Sequence, residues 1–352
     1  MQMGVIVVAH RLRGSETGKR TGGSLVSQAS MRERHAMPHS RQVNENQAPA
    51  AGHRRNPHPD RGREQRLAFS ALLAGAVGIA FAPIFVRLSE LGPSATAFYR
   101  LFFALPILWL WMGVEGRKSG AERKPATPGE HRALIIAGLL FATDLALWHW
   151  SIRLTSVANA TLFANFAPLF VTLGARILFA EKITLLFVAG MAAAFAGTSM
   201  VVGDSVRFSL EHLAGDFLGI AAALFYGGYL LGVKHLRRSF STATIMSWSG
   251  LSACPTLLVA ALLSGEGLLA QHLQGWIILL ALALVSQVGG QSLIAYAFAH
   301  LPASFSSLSL LLQPAVAALL AWTLLDERLT SLQAVGGAVI LSGIGIASRA
   351  GR

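Results

Sequence analysis

Residues 155–184 read TSVANATLFANFAPLFVTLGARILFAEKIT, and 146 positions further on residues 301–330 read LPASFSSLSLLLQPAVAALLAWTLLDERLT. Without a gap, Pro168 meets Pro314, Leu173 meets Leu319, Glu181 meets Glu327 and Thr184 meets Thr330. Beyond the stretch, Gly190 meets Gly336 and Gly197 meets Gly343. One long period of this kind marks a duplicated half, not a solenoid of short units. Each copy is an apolar segment with a proline near its middle.

Composition places these segments in a membrane. Of 352 residues, 53% are hydrophobic and 13% charged, with a mean hydropathy of +0.53, outside the range of soluble globular domains. Ten segments are long enough to cross a bilayer as helices of roughly 20 residues. They run over 68–88, 94–114, 133–153, 156–179, 184–202, 214–234, 243–263, 274–298, 303–325 and 330–348. Segments of this length satisfy every backbone group inside lipid only as helices. The expected fold is therefore an all-α membrane protein.

The basic residues then read as topology signals. The net charge of +12 would point to nucleic acid in a soluble protein. Here the charges fall in loops, and residues 1–66 lack the aromatic residues that interleave a nucleic-acid-binding tail. No nucleic-acid partner is expected. Residues 1–66 are polar and aperiodic and read as a disordered, basic cytoplasmic tail, with Met31 and Met37 as alternative translation starts. With that tail set aside, 11 basic residues lie on the N-terminal side of the membrane and four (Arg87, Arg153, Arg207 and Arg328) on the other. The positive-inside rule then puts both termini in the cytoplasm of what is expected to be a bacterial inner membrane.

Five helices per copy means that the halves, 67–203 and 214–348, enter the membrane in opposite orientations. Inverted repeats are the architecture of secondary transporters, with a site near the midplane where the repeats meet. Paired interruptions in corresponding helices point to that site. Pro168 and Pro314 remove the donors for the carbonyls of Ala164 and Leu310, and Asn165 and Gln313 sit within a turn of each break. A packing kink is the plain alternative.

Further candidates lie elsewhere in the spans. Asp144 sits ~13 Å deep in the third helix and Arg100 ~9 Å deep in the second, at 1.5 Å per residue. Charges at such depth are paired or functional, so the two form either a structural ion pair or part of a solute or proton pathway. His149, five residues after Asp144, is expected on a different face. Tyr226, Tyr229, Trp248, Gln287, Gln291 and Tyr296 form a polar set in helices six to eight, as interhelical glue or as cavity lining. Trp148 and Trp150 read as interfacial belt residues, and Arg176 as a snorkelling cation. Glu181 and Glu327 read as helix-start residues favoured by the dipole. The heptad-spaced glycines of helices five and ten read as scaffold packing or as a homodimer surface.

Enzyme readings find no support. No membrane segment carries a Gly-x-Ser-Gly nucleophile, and Asp204 and Asp216 lie at helix ends. Cys254 is the only cysteine, so neither a disulfide nor a thiolate cluster is expected. No Walker motif occurs, and no metal or cofactor is expected. An ion channel or lipid scramblase remains as an alternative, but neither requires inverted halves with paired prolines.

With these residues in hand, the chain resembles the EamA-type branch of the drug/metabolite transporter superfamily. The resemblance is carried by AEKIT and DERLT, by ANFAPLF and LLQPAVA, by GPSATAFYR and by AALFYGGYLLGVKHL, and spans about residues 67–348. It implies export or import of amino acids, metabolites or drugs through a central cavity, with helices five and ten as scaffold. Pro93 and Arg100 match the family's Pro and Arg at the start of helix two. Pro168, Glu181, Pro314 and Glu327 match its end-of-repeat signature. Where the family often has Trp in helix one this chain reads AVGIA, and Tyr226 takes the corresponding place in helix six. Asp144 belongs to no family pattern.

Overall fold

The computed structural model describes residues 59–119, 124–155, 157–203, 210–325 and 329–350. The described residues form ten helices long and apolar enough to cross a membrane. The first is broken into α1a (Pro59–Ala80) and α1b (Ala82–Leu88), followed by α2 (Pro93–Ser119) and α3 (Pro128–Leu154). The fourth is α4a (Val157–Ala164) and α4b (Ala167–Phe179), and α5 is Leu185–Val202. The second half holds α6 (Leu213–Leu236), α7 (Thr242–Leu263) and α8, which runs from Leu273 to His300 with a wide π-type stretch over Leu282–Gln291. It closes with α9a (Ala303–Ser309), α9b (Leu312–Leu325) and α10 (Ser331–Arg349).

Most ends fall within a few residues of those expected from hydropathy, and the larger differences share a cause. The first helix begins at Pro59, inside the segment expected to be disordered, and α2 and α3 extend past their apolar cores. Hydropathy marks where lipid ends, whereas helices continue as long as their residues favour it. Glu64 and Arg66 are good helix formers exposed on the overhang. Thr127 starts α3 with a reciprocal cap to Glu130 and Pro128 in the first turn. Residues 1–58 lie outside the described residues.

Packing follows the duplication. α3 lies on α6 as α8 lies on α1, and α4 also packs on α6 as α9 packs on α1. These pairs exchange when each helix is replaced by the one five further along, as two inverted halves require. α5 and α10 pair with each other and form their own apolar cluster with Leu308 and Leu311. The crossing is backbone on backbone: a methyl group added at Gly197 would meet the Gly336 carbonyl at 2.6 Å, and one at Gly343 the Gly190 carbonyl at 2.6 Å. All four glycines thus meet the opposing helix within the chain.

The Glu-to-Thr turns resolve differently from the expectation. Thr184 and Thr330 are the caps of α5 and α10, each hydroxyl accepting the backbone N–H three residues on at 3.2 Å. Glu181 serves a helix of the other half. Its carboxylate accepts the N–H groups of Ala303 (2.7 Å) and Ser304 (3.1 Å) and the Ser304 hydroxyl (2.6 Å), at the start of α9a. Ala180, in the left-handed region at φ 53°, makes the turn that delivers it. Glu327 lies outside the described residues.

Two more carboxylates reach across the halves in the same way. Glu266, before α8, accepts the N–H of Ala95 in the first turn of α2 at 2.8 Å. Glu90, before α2, accepts those of Gln271 and His272 at the start of α8 at 2.8 and 3.2 Å. An exposed helix start has unpaired N–H groups and a partial positive charge, so an anion from the opposite half both satisfies donors and joins the repeats. Glu90 and Glu266 lie on the face of the α1–α2 and α7–α8 loops, here face A. Glu181 lies on the opposite face, face B.

Candidate functional site

Three of the ten spans are interrupted by a proline in the first turn of their second piece. Phe81-Ala82-Pro83 opens α1b and Phe166-Ala167-Pro168 opens α4b, while α9b begins Leu312-Gln313-Pro314. Around the α4 break the bonding tightens: Phe166 N–H goes to the Phe163 carbonyl at 3.0 Å and Leu169 N–H to Phe166 at 2.9 Å. The α9 break does likewise, with Leu311 N–H on Leu308 at 3.1 Å and Gln313 N–H on Leu310 at 2.9 Å. Proline explains why the regular pattern fails, since it lacks the donor and crowds the preceding turn.

A cavity of ≈ 200 Å³ lies where the three breaks converge. From the first half come Ile79 to Val86 of α1, Ala97 and Arg100 of α2, the end of α3 and Thr161, Ala164 and Asn165 of α4. From the second half come Tyr226 of α6, Leu282 and Gln291 of α8, and Gln313, Pro314 and Ala317 of α9. Most of these positions lie at the middle of their spans or in the half toward face A, with Gln291 past the middle of α8 toward face B. Toward face B the helices close in: α4b packs on α9a, Phe69 stacks on Phe305 with centroids 6.0 Å apart and Lys234 donates to the Leu301 carbonyl at 2.6 Å, with a small pocket of ≈ 30 Å³ lined by Pro168, Leu230, Ser307 and Leu310 among the described residues.

The two intramembrane charges both line this cavity, and they do not pair. Among the described residues no ion pair joins Asp144 to Arg100. Arg100 donates through Nε to Gln287 Oε1 at 3.0 Å and lies with its Cζ 6.0 Å from the Phe141 ring centroid. Its terminal nitrogens have no protein acceptor among the described residues. Neither does Asp144 have a donor there, although it is only 9% exposed. Its oxygens are not among the side-chain atoms sealed without a partner, so they face the cavity.

Other candidates fall at graded distances from this space. Asn165 donates its amide nitrogen to the Thr161 carbonyl at 2.8 Å, which leaves its oxygen free as an acceptor. Gln313 has a buried, unpartnered Nε2. Gln291 lies beside the Tyr226 and Tyr229 hydroxyls. Pro168 lines a smaller adjoining pocket of ≈ 30 Å³ with Tyr226, Asn165 and Gln313. Gln287 is behind the wall, holding Arg100. Tyr229 is in the next layer, stacked on Phe141 at 4.7 Å, whereas Trp248 packs on Trp109 and Tyr296 on His300, away from the cavity.

Three residues differ from the expectation. His149 lines the same cavity as Asp144, is 3% exposed and has an unpartnered Nδ1. Trp148 also lines it, and of the two expected belt residues only Trp150 is exposed, at 43%. The cavity takes in Phe141, Asp144, Leu145, Trp148 and His149 of α3, a stripe wider than a single line of side chains. Pro83 has no proline partner under the 146-residue shift, and its signal in the sequence is the tripeptide FAP, at 81–83 and again at 166–168.

With a two-half helical scaffold and this cavity in place, likeness to known proteins becomes informative. The model of the EamA-like transporter family matches residues 66–203 and again residues 213–349. The chain belongs to the EamA-like transporter family. An uncharacterized transporter of Archaeoglobus fulgidus is 26% identical over 270 residues, covering 74% of this chain and 90% of that one. A probable terminal-alkyne amino-acid exporter of Streptantibioticus cattleyicolor is 27% identical, covering 77% of this chain and 89% of its own. The pseudopaline exporter of Pseudomonas aeruginosa is 24% identical over 77% of this chain and 92% of its length. A solved crystal structure with 19% identity superposes with a TM-score of 0.66, covering 83% of this chain and 99% of that chain, a likeness of fold. The protein is thus a multi-pass membrane transporter of two inverted five-helix repeats.

Proposed function

We propose that this transporter exports a small organic solute across a bacterial inner membrane by alternating access, its repeats 67–203 and 214–348 moving against each other. The observation that carries the reading is the cavity, lined by both halves, lying mainly in the face A half of the bilayer and narrowed toward face B by packed helix and the Glu181 cap. Face B holds 11 basic residues against four outside the N-terminal tail, which supports cytoplasmic termini and a cavity open to the periplasm. The names of the two exporter relatives support the direction. Arg100, Asp144, Asn165, Tyr226, Gln291, Gln313 and Pro314 meet the solute in this reading, with Gln287 fixing Arg100 and Pro168 at the base. Outward apolar side chains such as Leu185, Ile177 and Leu263 meet lipid. The energy comes from an ion or solute gradient, with no cofactor.

Access can be measured directly. Ala317, which lines the cavity, is replaced by cysteine in a Cys254→Ala background and treated with a membrane-impermeant maleimide in right-side-out and inside-out vesicles. The expected result is faster labelling from outside, and solute flux in liposomes screened with labelled metabolites. Labelling from the cytoplasmic face alone would overturn the access model, and absence of flux for every solute would overturn transport itself.

A further inference from the structure

We infer that an anionic phospholipid binds at face B against the end of α4b, its phosphate held by Arg176 and Arg238 and an acyl chain laid along Leu173 and Ile177. The inference rests on the chain crossing a bilayer and not on what it transports. Arg176, Lys182 and Arg238 are exposed. Arg238 comes from the other half, on the turn after α6, with its Cζ 5.0 Å from the centroid of the Phe179 ring at the end of α4b. Arg176 reaches along the same end, its Nη1 3.5 Å from the Glu181 carbonyl oxygen. Lys234, in the last turn of α6, lies in the field of both Glu181 and Arg238.

Charge does not balance at this place. Arg176, Lys182, Lys234 and Arg238 gather around a single carboxylate, Glu181, which is already committed to the start of α9a. Among the described residues no ion pair joins Arg176, Lys182 or Arg238 to an acid. Glu64 and Glu115 face His300 and Arg237 instead, and Glu130 caps α3. The carbonyl ends of α4b and α6 offset only about half a charge each, so roughly two positive charges remain. Basic pockets between helices are where acidic headgroups bind, and a guanidinium pairs with phosphate through two parallel hydrogen bonds.

The surroundings select a lipid over a free anion. Leu173 and Ile177 are 60% and 72% exposed and share one face of α4b with Arg176 at spacings of three and four. An apolar stripe thus leads straight into the cations, as an acyl chain leads to its phosphate. Inorganic phosphate would use the cations and leave the stripe. A zwitterionic headgroup would bring a further positive charge into a cluster that already has too many. An anionic phospholipid satisfies both features, and by engaging Arg176 and Arg238 it leaves the Glu181 carboxylate to the α9a start.

The test uses the full-length protein, delipidated in a neutral detergent, and follows its thermal unfolding midpoint as phosphatidylglycerol, phosphatidylcholine or inorganic phosphate is added. Native mass spectrometry counts the lipids retained. Phosphatidylglycerol is expected to raise the midpoint saturably, and the other two to leave it unchanged. Arg176→Gln and Arg238→Gln should each weaken the apparent affinity roughly fivefold, about what one interfacial cation contributes. Together they should abolish the saturable rise and remove a retained lipid. The double variant Arg176→Lys with Arg238→Lys keeps the charge and should recover most of the rise, which separates headgroup binding from folding. Arg63→Gln with Arg66→Gln, on the exposed start of α1, should respond as wild type does. No rise with phosphatidylglycerol, an equal rise with phosphatidylcholine or inorganic phosphate, unchanged affinity in the folded double glutamine variant, or an equal loss in the α1 variant would each overturn the inference. None of these readouts depends on solute flux, so the transport reading stands or falls separately.

Discussion

At face A, Glu266 and Glu90 cap the starts of α2 and α8, and a cavity of ≈ 200 Å³ opens behind them; at face B, Glu181 caps the start of α9a, and the helices behind it leave a pocket of only ≈ 30 Å³. The chemistry is the same, a carboxylate of one half on the exposed N–H groups of the other. The strength is not. Glu181 accepts three hydrogen bonds from two adjacent residues. Glu266 accepts one from the backbone and makes an ion pair with Arg153 at 3.3 Å, on a side chain 49% exposed. Glu90 takes two backbone bonds and a contact to the His272 ring in a solvent-exposed setting. Glu181 thus holds the other half by more hydrogen bonds than Glu266 does and in a less exposed setting than Glu90.

The largest effect is expected from Glu181→Ala. Removal of charge-assisted bonds to the α9a start should lower stability by about 2 kcal/mol, read as a fall in the unfolding midpoint in detergent. It should also raise maleimide labelling of Ala317→Cys from face B. A destabilised but equally closed protein would show that the packed helices alone make the seal. Next comes Glu266→Ala, expected to cost about 1 kcal/mol, since an ion pair to a half-exposed arginine contributes little beyond the one backbone bond. Labelling from face A should hardly change, because that side is already open, and a large change would erase the distinction between the two faces.

A smaller change of opposite sign is expected from Ala180→Gly. A non-glycine residue at φ 53° carries steric strain, so glycine should raise stability by ~0.5 to 1 kcal/mol. Destabilisation would show that the turn presents Glu181 through the stiffness of alanine. Glu90→Gln should have the smallest effect, and one that depends on pH. Partial desolvation raises the Glu90 carboxyl pKa, and the N–H groups of Gln271 and His272 with the His272 ring more than reverse this, leaving it below its ordinary 4.5. A lowered carboxyl contributes stability above its unfolded value, lost as pH falls through the folded one. Wild type should therefore exceed Glu90→Gln at pH 7 and converge with it as pH falls through the lowered folded value, as followed by thermal melts.

Much of this architecture is legible in the chain. The duplication, the ten spans and the odd number of helices per half are carried by hydropathy and by one gapless shift, because lipid allows few alternatives. The charges at positions 100 and 144 stand out for the same reason. What sequence does not reveal is which groups of different halves become neighbours. Glu181 lies four residues before α5, and proximity along the chain suggests a role at that helix, whereas its partners are more than a hundred residues away. His149 is turned away from Asp144 on a helical wheel, and only the breadth of the cavity against α3 brings both into it. Pro83 has no counterpart under the repeat shift, so a search for paired breaks passes over it.

The position 146 residues after Asp144 is Gly290, where α8 lies against α1. A methyl group there would meet Ile79 N at 3.0 Å and the Gly75 carbonyl at 3.1 Å. No acidic side chain fits this register without prising the two helices apart. The duplicated halves therefore cannot both carry the carboxylate: packing reserves it for the first half and leaves the ancestral symmetry broken at the one position where a second negative charge would otherwise double the first.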